Sequence, residues 1–233
     1  EDAFVDQLVA RAPALGATLL TANYSRAYLD LNRDPRELDP EMFDGEPPGP
    51  VAPATARVQA GLGCMPKIGA AGDSIYAKKL STDDGRTRLE GIHAPYHQTL
   101  KQEIAALHQQ FGSVILLDLH SMPSRQPGRR SLPDIVLGDR FGSSCASQLT
   151  SLVERTCRKL GMSVTRNAPY AGGYTTRLYG RPKRNVHALQ IEVNRSLYMD
   201  EASVELLPAA EGLKEKLETL IEEVCALAIR LRP

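Results

Sequence analysis

Two short segments hold the residue types that a hydrolytic site needs. The first is Val114-Ile-Leu-Leu-Asp118-Leu-His120-Ser-Met-Pro123. An apolar run closed by a turn reads as a buried strand. In open α/β sheets, ligands gather at the carboxyl ends of the strands. His120 therefore leaves the sheet where chemistry is usually done. Its neutral imidazole suits zinc, and Asp118 is placed to orient the ring. The alternative is a histidine that caps the strand end. The second segment is His187-Ala-Leu-Gln-Ile-Glu192-Val-Asn-Arg195, with His, Leu, Ile and Val alternating against Ala, Gln, Glu and Asn. It brings Glu192 and Arg195 to its exit. A carboxylate beside a metal-bound water can act as general base. An arginine close by can grip a substrate carboxylate through two parallel hydrogen bonds. The alternative here is a surface Glu–Arg ion pair.

The elements that must position these residues alternate between helix and strand. Residues 2–13 pattern as a helix with Phe4, Val5, Leu8 and Val9 on one face. Residues 16–20 and 24–31 are strand candidates. Residues 34–72 form a long excursion rich in proline and glycine, a type of segment that is usually functional or mobile. A long amphipathic helix is expected over 83–110, with a break near Pro95. The His120 strand follows, then a loop from Pro123 to Pro133 and a short strand over 134–137. A helix over 144–160 and a strand over 162–167 come next. Pro169 to Arg184 is expected to be loop, the Glu192 strand follows, and residues 204–231 close the chain as a helix. This alternation argues for one three-layer α/β/α domain over residues 1–233 with a mostly parallel mixed sheet.

Three loop constellations could line a site. Asn32-Arg33, at the end of Tyr28-Leu-Asp-Leu-Asn32-Arg33, could clamp a carboxylate, although the sequence is also an ordinary turn. Asn167-Ala-Pro-Tyr-Ala-Gly-Gly-Tyr174-Thr175-Thr-Arg177-Leu-Tyr-Gly-Arg181 combines paired glycines, which let backbone approach a ligand closely, with Tyr, Thr and Arg side chains. His93-Ala-Pro-Tyr-His97 has the i, i+4 spacing of a metal pair. Pro95 disturbs the helix it would need, and the packing reading is preferred.

Composition sets limits. The 233 residues are 42% hydrophobic, enough for a sizeable core. The 28 basic and 28 acidic residues cancel, so no charge excess points to nucleic acid or to an anionic membrane. Cys64, Cys145, Cys157 and Cys225 show no Cys-x-x-Cys spacing, and reduced thiols in the cytoplasm are the simplest account. No apolar run is long enough to span a bilayer. The chain opens on Glu1-Asp-Ala-Phe-Val-Asp6 with helical character and no initiator Met, and a preceding segment is expected.

Taken together, the motifs resemble the N-formylglutamate amidohydrolase family. The resemblance rests on Glu1-Asp-Ala-Phe-Val-Asp6, Asp30-Leu-Asn-Arg33, Glu37-Leu-Asp-Pro40, Pro95-Tyr-His97, Asp118-Leu-His-Ser-Met-Pro123, Tyr170-Ala-Gly-Gly-Tyr174, Tyr179-Gly-Arg-Pro182, Gln190-Ile-Glu-Val-Asn-Arg195 and Leu197-Tyr-Met-Asp-Glu201. That family is similar in turn to the zinc carboxypeptidases and aspartoacylases, which hold one zinc ion with two histidines and an acid. The resemblance implies their fold. It implies that His120 is the second metal histidine, that Glu192 is the base, and that Asn32 and Arg33 bind the substrate carboxylate. Asp2 is the first choice for the acidic ligand, ahead of Glu1 and Asp6. The family's first histidine lies in a Pro-His-Ser-Gly motif ahead of the position of Glu1, so one ligand is unassigned. Tyr174, Thr175, Arg177, Arg181 and Arg195 complete the expected substrate-binding set. The implied reaction is zinc-dependent hydrolysis of an N-acyl amino acid, N-formyl-L-glutamate first. The rivals are a related zinc amidohydrolase acting on another N-acyl amino acid or a small peptide, since Arg125, Arg129 and Arg130 would suit a larger anionic substrate, and a metal-free binding protein on the same fold.

Overall fold

The computed structural model describes residues 2–69, 72–126 and 131–231. In chain order the helices are α1 (Val5–Leu8), α2 (Ala56–Gln59), α3 (Thr82–Arg88), α4 (Ala94–Phe111), α5 (Ser147–Lys159), α6 (Tyr174–Tyr179) and α7 (Ala210–Arg230). The strands are β1 (Phe43–Asp44), β2 (Leu80–Ser81), β3 (Val114–Met122), β4 (Ile135–Gly138), β5 (Val164–Arg166), β6 (Val186–Asn194), β7 (Met199–Asp200) and β8 (Glu205–Leu206). The chain folds into two compact units, Ala22–Glu103 and Asp2–Thr21 with Ile104–Pro233.

The first unit contains little regular structure. Its core is Leu29, Leu31, Leu38, Met42, Phe43, Cys64 and Met65, with Tyr28, Tyr76 and Tyr96 packed at its edge. β1 and β2 form a two-residue parallel pair. The strand expected over 24–31 is absent. Side chains compete for its backbone instead: the Ala27 N–H donates to Ser25 Oγ and the Asn32 N–H to Asp30 Oδ1, the local bonding by which Ser and Asp favour turns over ladders. Pro95 does not break the helix. α3 leads through a π turn, Leu89–His93, into α4, and the wider turn accommodates the proline's missing N–H.

The second unit is built on a four-stranded sheet in the order β3-β6-β4-β5. β3–β6 and β4–β5 are parallel and β4–β6 is antiparallel, so the fold is mixed α/β with a mostly parallel sheet. Alternation sorts β6 into two faces. Leu189, Ile191 and Val193 join Ile135 and Leu137, together with Leu149 and Val153 of α5 and Leu213, Leu217, Leu220 and Ile221 of α7, in one apolar cluster. Burying each such side chain stabilises the fold by about 1.5–3 kcal/mol. Gln190, Glu192 and Asn194 therefore point to the opposite face. The expected N-terminal helix contracts to α1, because Pro13 and Gly16 close a 3-10 turn over Ala12–Leu15. The expected strand over 16–20 pairs with no other strand among the described residues. The loop expected over Pro169–Arg184 contains α6, which is bracketed by Gly173 and Gly180.

Candidate active site

The β3–β6 register assembles the site. Asp118 pairs with Gln190 and His120 with Glu192. Partners in a parallel ladder share a face, as do residues two apart on one strand. Asp118, His120, Gln190 and Glu192 therefore form one polar patch, and all four are buried. Water is largely excluded here, and each polar atom needs a partner inside the protein.

His120 has a carboxylate on each ring nitrogen. Nδ1 lies 2.8 Å from Asp2 Oδ2 and Nε2 lies 3.0 Å from Asp118 Oδ1. Burial opposes a charged ring, but the Asp118 and Asp2 carboxylates outweigh it and hold the His120 pKa well above the ordinary imidazole value. Ser121 fixes Asp2 in turn: its N–H donates to Asp2 Oδ1 at 2.7 Å and its hydroxyl lies 3.3 Å from the same oxygen. Arg195 Nε donates to Ser121 Oγ at 3.0 Å, and the Tyr198 hydroxyl donates to the Ala3 carbonyl at 3.0 Å, which ties down the segment that carries Asp2. Gln190 Nε2 donates to Glu192 Oε1 at 2.7 Å and orients that carboxylate.

The donor set decides what a metal could use. Two ligands of a tetrahedral zinc at about 2.0–2.2 Å stand roughly 3.3 Å apart, so His120 Nδ1 and Asp2 Oδ2 need open only slightly to share an ion. A proton on Nε2 would then face Asp118, the carboxylate–histidine arrangement that orients metal-binding imidazoles. The pair would supply two of the three protein ligands of a catalytic zinc. Among the described residues no three His, Cys, Asp or Glu side chains gather into a metal-holding group.

A glycine contact brings the loop of residues 167–181 against this sheet. A Cβ on Gly138, which pairs with Gln190, would lie 2.6 Å from the Gly172 nitrogen and 2.8 Å from the Ala171 carbonyl carbon. Gly172 itself has φ +115°. Only glycine permits this approach and this conformation. From that loop, Thr175 is buried in α6 and the Arg177 guanidinium lies 5.4 Å from the centre of the Tyr174 ring. Arg181 turns Nη1 onto carbonyls of its own segment, Arg177 O at 3.0 Å and Gly180 O at 2.6 Å.

Asn32 and Arg33 belong to the first unit. Both are packed into it: Arg33 Nη1 donates to the Asn32 carbonyl at 3.0 Å and Nε lies 3.7 Å from Asp30 Oδ2. Burial pulls the Arg33 pKa down, against the pull of Asp30. Glu1, Arg129 and Arg130 lie outside the described residues, and Asp6 is exposed on α1. Sequence reasoning passed over Ser121 and Gln190. Gln190 could have been found from its i, i+2 relation to Glu192. The bond from Ser121 to Asp2 spans 119 positions and leaves no local signal.

Comparison with known proteins bears on the family. A profile described as N-formylglutamate amidohydrolase matches residues 1–199. An N-formylglutamate deformylase of Pseudomonas aeruginosa is 33% identical over 97% of this chain and 81% of its own length. The N-formylglutamate deformylase of Pseudomonas putida is 32% identical over 96% of this chain and 79% of its own. The crystal structure of N-formylglutamate amidohydrolase from Ralstonia eutropha JMP134 superposes with a TM-score of 0.92 at 36% identity, covering 99% of this chain and 84% of that one. On the extent of the profile match and the identity to these relatives, the chain belongs to the N-formylglutamate amidohydrolase family.

Proposed function

We propose that the protein hydrolyses the amide bond of N-formyl-L-glutamate to formate and glutamate, with one zinc ion held by His120 and Asp2. The observation that carries this reading is the pairing of His120 with Glu192 on one buried polar face, with Asp2 and Asp118 on the two ring nitrogens. The same reading takes the layering to be that of the zinc carboxypeptidases. Zinc, when bound, polarises a carbonyl and brings the pKa of a bound water near 7.

The chain's own residues do the rest. Asp118 holds the His120 ring and Ser121 holds Asp2, so both donors are oriented before any ligand arrives. Gln190 fixes one oxygen of Glu192. The Glu192 carboxylate takes the proton of the attacking water and returns it to the leaving amine nitrogen. Arg195, bound to Ser121 Oγ, steadies the Asp2 side of the site. Asn32 and Arg33 take the substrate's α-carboxylate, as the family resemblance implies. Arg177 and Arg181, beside Tyr174 and Thr175, meet the second carboxylate.

His120→Ala should stay folded and lose both bound zinc and activity; metal content equal to wild type in that variant rules out His120 as a ligand. N-formylglutamate should be preferred to N-formylleucine. A charged hydrogen-bond interaction of about 1.5–3 kcal/mol corresponds to roughly 10–150-fold in kcat/KM. Equal kcat/KM values would replace the acidic substrate with a broader range of N-acyl amino acids.

A further inference from the structure

The first unit contains a pair of histidines that the proposed reaction does not use. His93 closes the π turn Leu89–His93, and His97 lies one turn further on in α4. Their rings are 4.4 Å apart between centroids and tilted by 35°. His93 Nε2 lies 3.0 Å from the Arg33 carbonyl oxygen, and His97 Nε2 lies 2.9 Å from the Leu31 carbonyl oxygen. A carbonyl oxygen can only accept, so each Nε2 carries the proton. Burial holds the His93 pKa below the ordinary imidazole value, in keeping with a neutral ring whose N–H is given to Arg33 O.

The carbonyls concerned bracket the Asn32–Arg33 pair. The turn is closed by the Asn32 N–H on Asp30 Oδ1 at 2.9 Å and the Arg33 N–H on Asp30 O at 3.2 Å. The Asp30 N–H is anchored on the Cys64 carbonyl at 2.7 Å. The middle carbonyl, Asn32 O, receives Arg33 Nη1. Three consecutive carbonyls, 31 to 33, are thus tied by side chains: the outer two by the histidines and the inner one by the arginine itself. Fixing the outer two fixes the peptide planes before Asn32 and after Arg33, and with them the direction in which Asn32 and Arg33 leave the backbone. Buried carbonyls need partners, but a packing contact alone would not require two donors on the two carbonyls that bracket the Asn32–Arg33 pair.

We infer that His93 and His97 are positioning residues that hold the Asn32–Arg33 turn in the conformation that receives the substrate carboxylate. The inference rests on the carboxylate-binding role proposed above for Asn32 and Arg33.

The test uses the full chain and four single variants. His93→Phe and His97→Phe keep a ring in the stack and remove the donor. His93→Gln and His97→Gln place an amide N–H near the Nε2 position. Each Phe variant should raise KM for N-formylglutamate by about 10-fold while kcat stays near wild type, the pattern of lost uniform binding. Each Gln variant should recover most of that loss. In an Arg33→Ala background the Phe substitutions should add little, because coupled residues are not additive. An unchanged KM in the Phe variants, or a rise that adds fully to that of Arg33→Ala, overturns the inference. Amide hydrogen exchange at Asn32 and Arg33 separates it from the reading beneath it. If Arg33→Ala leaves KM unchanged, the carboxylate role of Arg33 has failed. The histidine clamp then stands only if exchange at those two amides quickens in the Phe variants and is restored by Gln; unchanged exchange removes it.

Discussion

His120 and His93 are both almost fully buried, 8% and 4% exposed, yet their settings push them in opposite directions. His120 lies between two carboxylates and its pKa is raised. His93 donates to a backbone carbonyl and its pKa is lowered by burial. The same side chain in a similar degree of burial becomes a charge-stabilised imidazolium in one unit and a neutral hydrogen-bond donor in the other. What distinguishes them is the formal charge of the partner, which desolvation then amplifies.

The largest effect should come from the charged side of this contrast. Glu192→Gln keeps size and the bond to Gln190 but cannot accept a proton. Metal should be retained and kcat should fall by roughly 10²–10⁴-fold, the usual contribution of a general base. A near-normal kcat would leave Glu192 as no more than the partner of Gln190. A smaller loss tests the carboxylate that faces Nε2. Asp118→Asn preserves a hydrogen-bonding group and removes the charge, and zinc affinity in chelator competition should weaken by about 10–100-fold. Affinity equal to wild type would mean that the charge beside His120 does not matter. The smallest effect belongs to His93. Its folded pKa lies below the unfolded value of about 6.5, so the unfolded chain binds the proton first. Its contribution to stability is therefore complete above about pH 6.5 and is lost as pH falls from there through the folded pKa. His187, also lowered by burial, adds with the same sign. Denaturant midpoints should decline over that acidic range in wild type and decline less steeply in His93→Gln. Superimposable profiles would show that His93 titrates normally.

What the sequence disclosed follows the range of the interactions involved. β3, β6, α5 and α7 were legible because periodicity is local, and alternation alone places Glu192 on the face opposite Ile191. His120 and Asp118 were readable as a pair for the same reason, two apart on one strand. The segment 24–31 misled because its apolar residues suit a strand, while Ser25 and Asp30 capture the backbone. α6 was hidden by flanking glycines and two β-branched threonines, which are poor helix signals. The antiparallel seating of β4 against β6 was unreadable because nothing in a short apolar strand states its direction. The histidine pair was visible in spacing, but the acceptors that define its role lie on backbone atoms 60 and 66 positions away, and a carbonyl has no letter in the sequence.

The contact between Gly138 and the Gly172 backbone has a consequence for redesign. Strand and loop are bolted together where a methyl group on Gly138 would displace main chain, and one on Gly172 would strike the Thr176 and Arg140 side chains at a φ suited to glycine. Libraries that diversify these glycines would chiefly harvest misfolded clones. Variation aimed at altering acyl or side-chain preference is better spent on outward positions of α6, such as exposed Leu178, where the scaffold can tolerate a new shape without surrendering the seam beneath it.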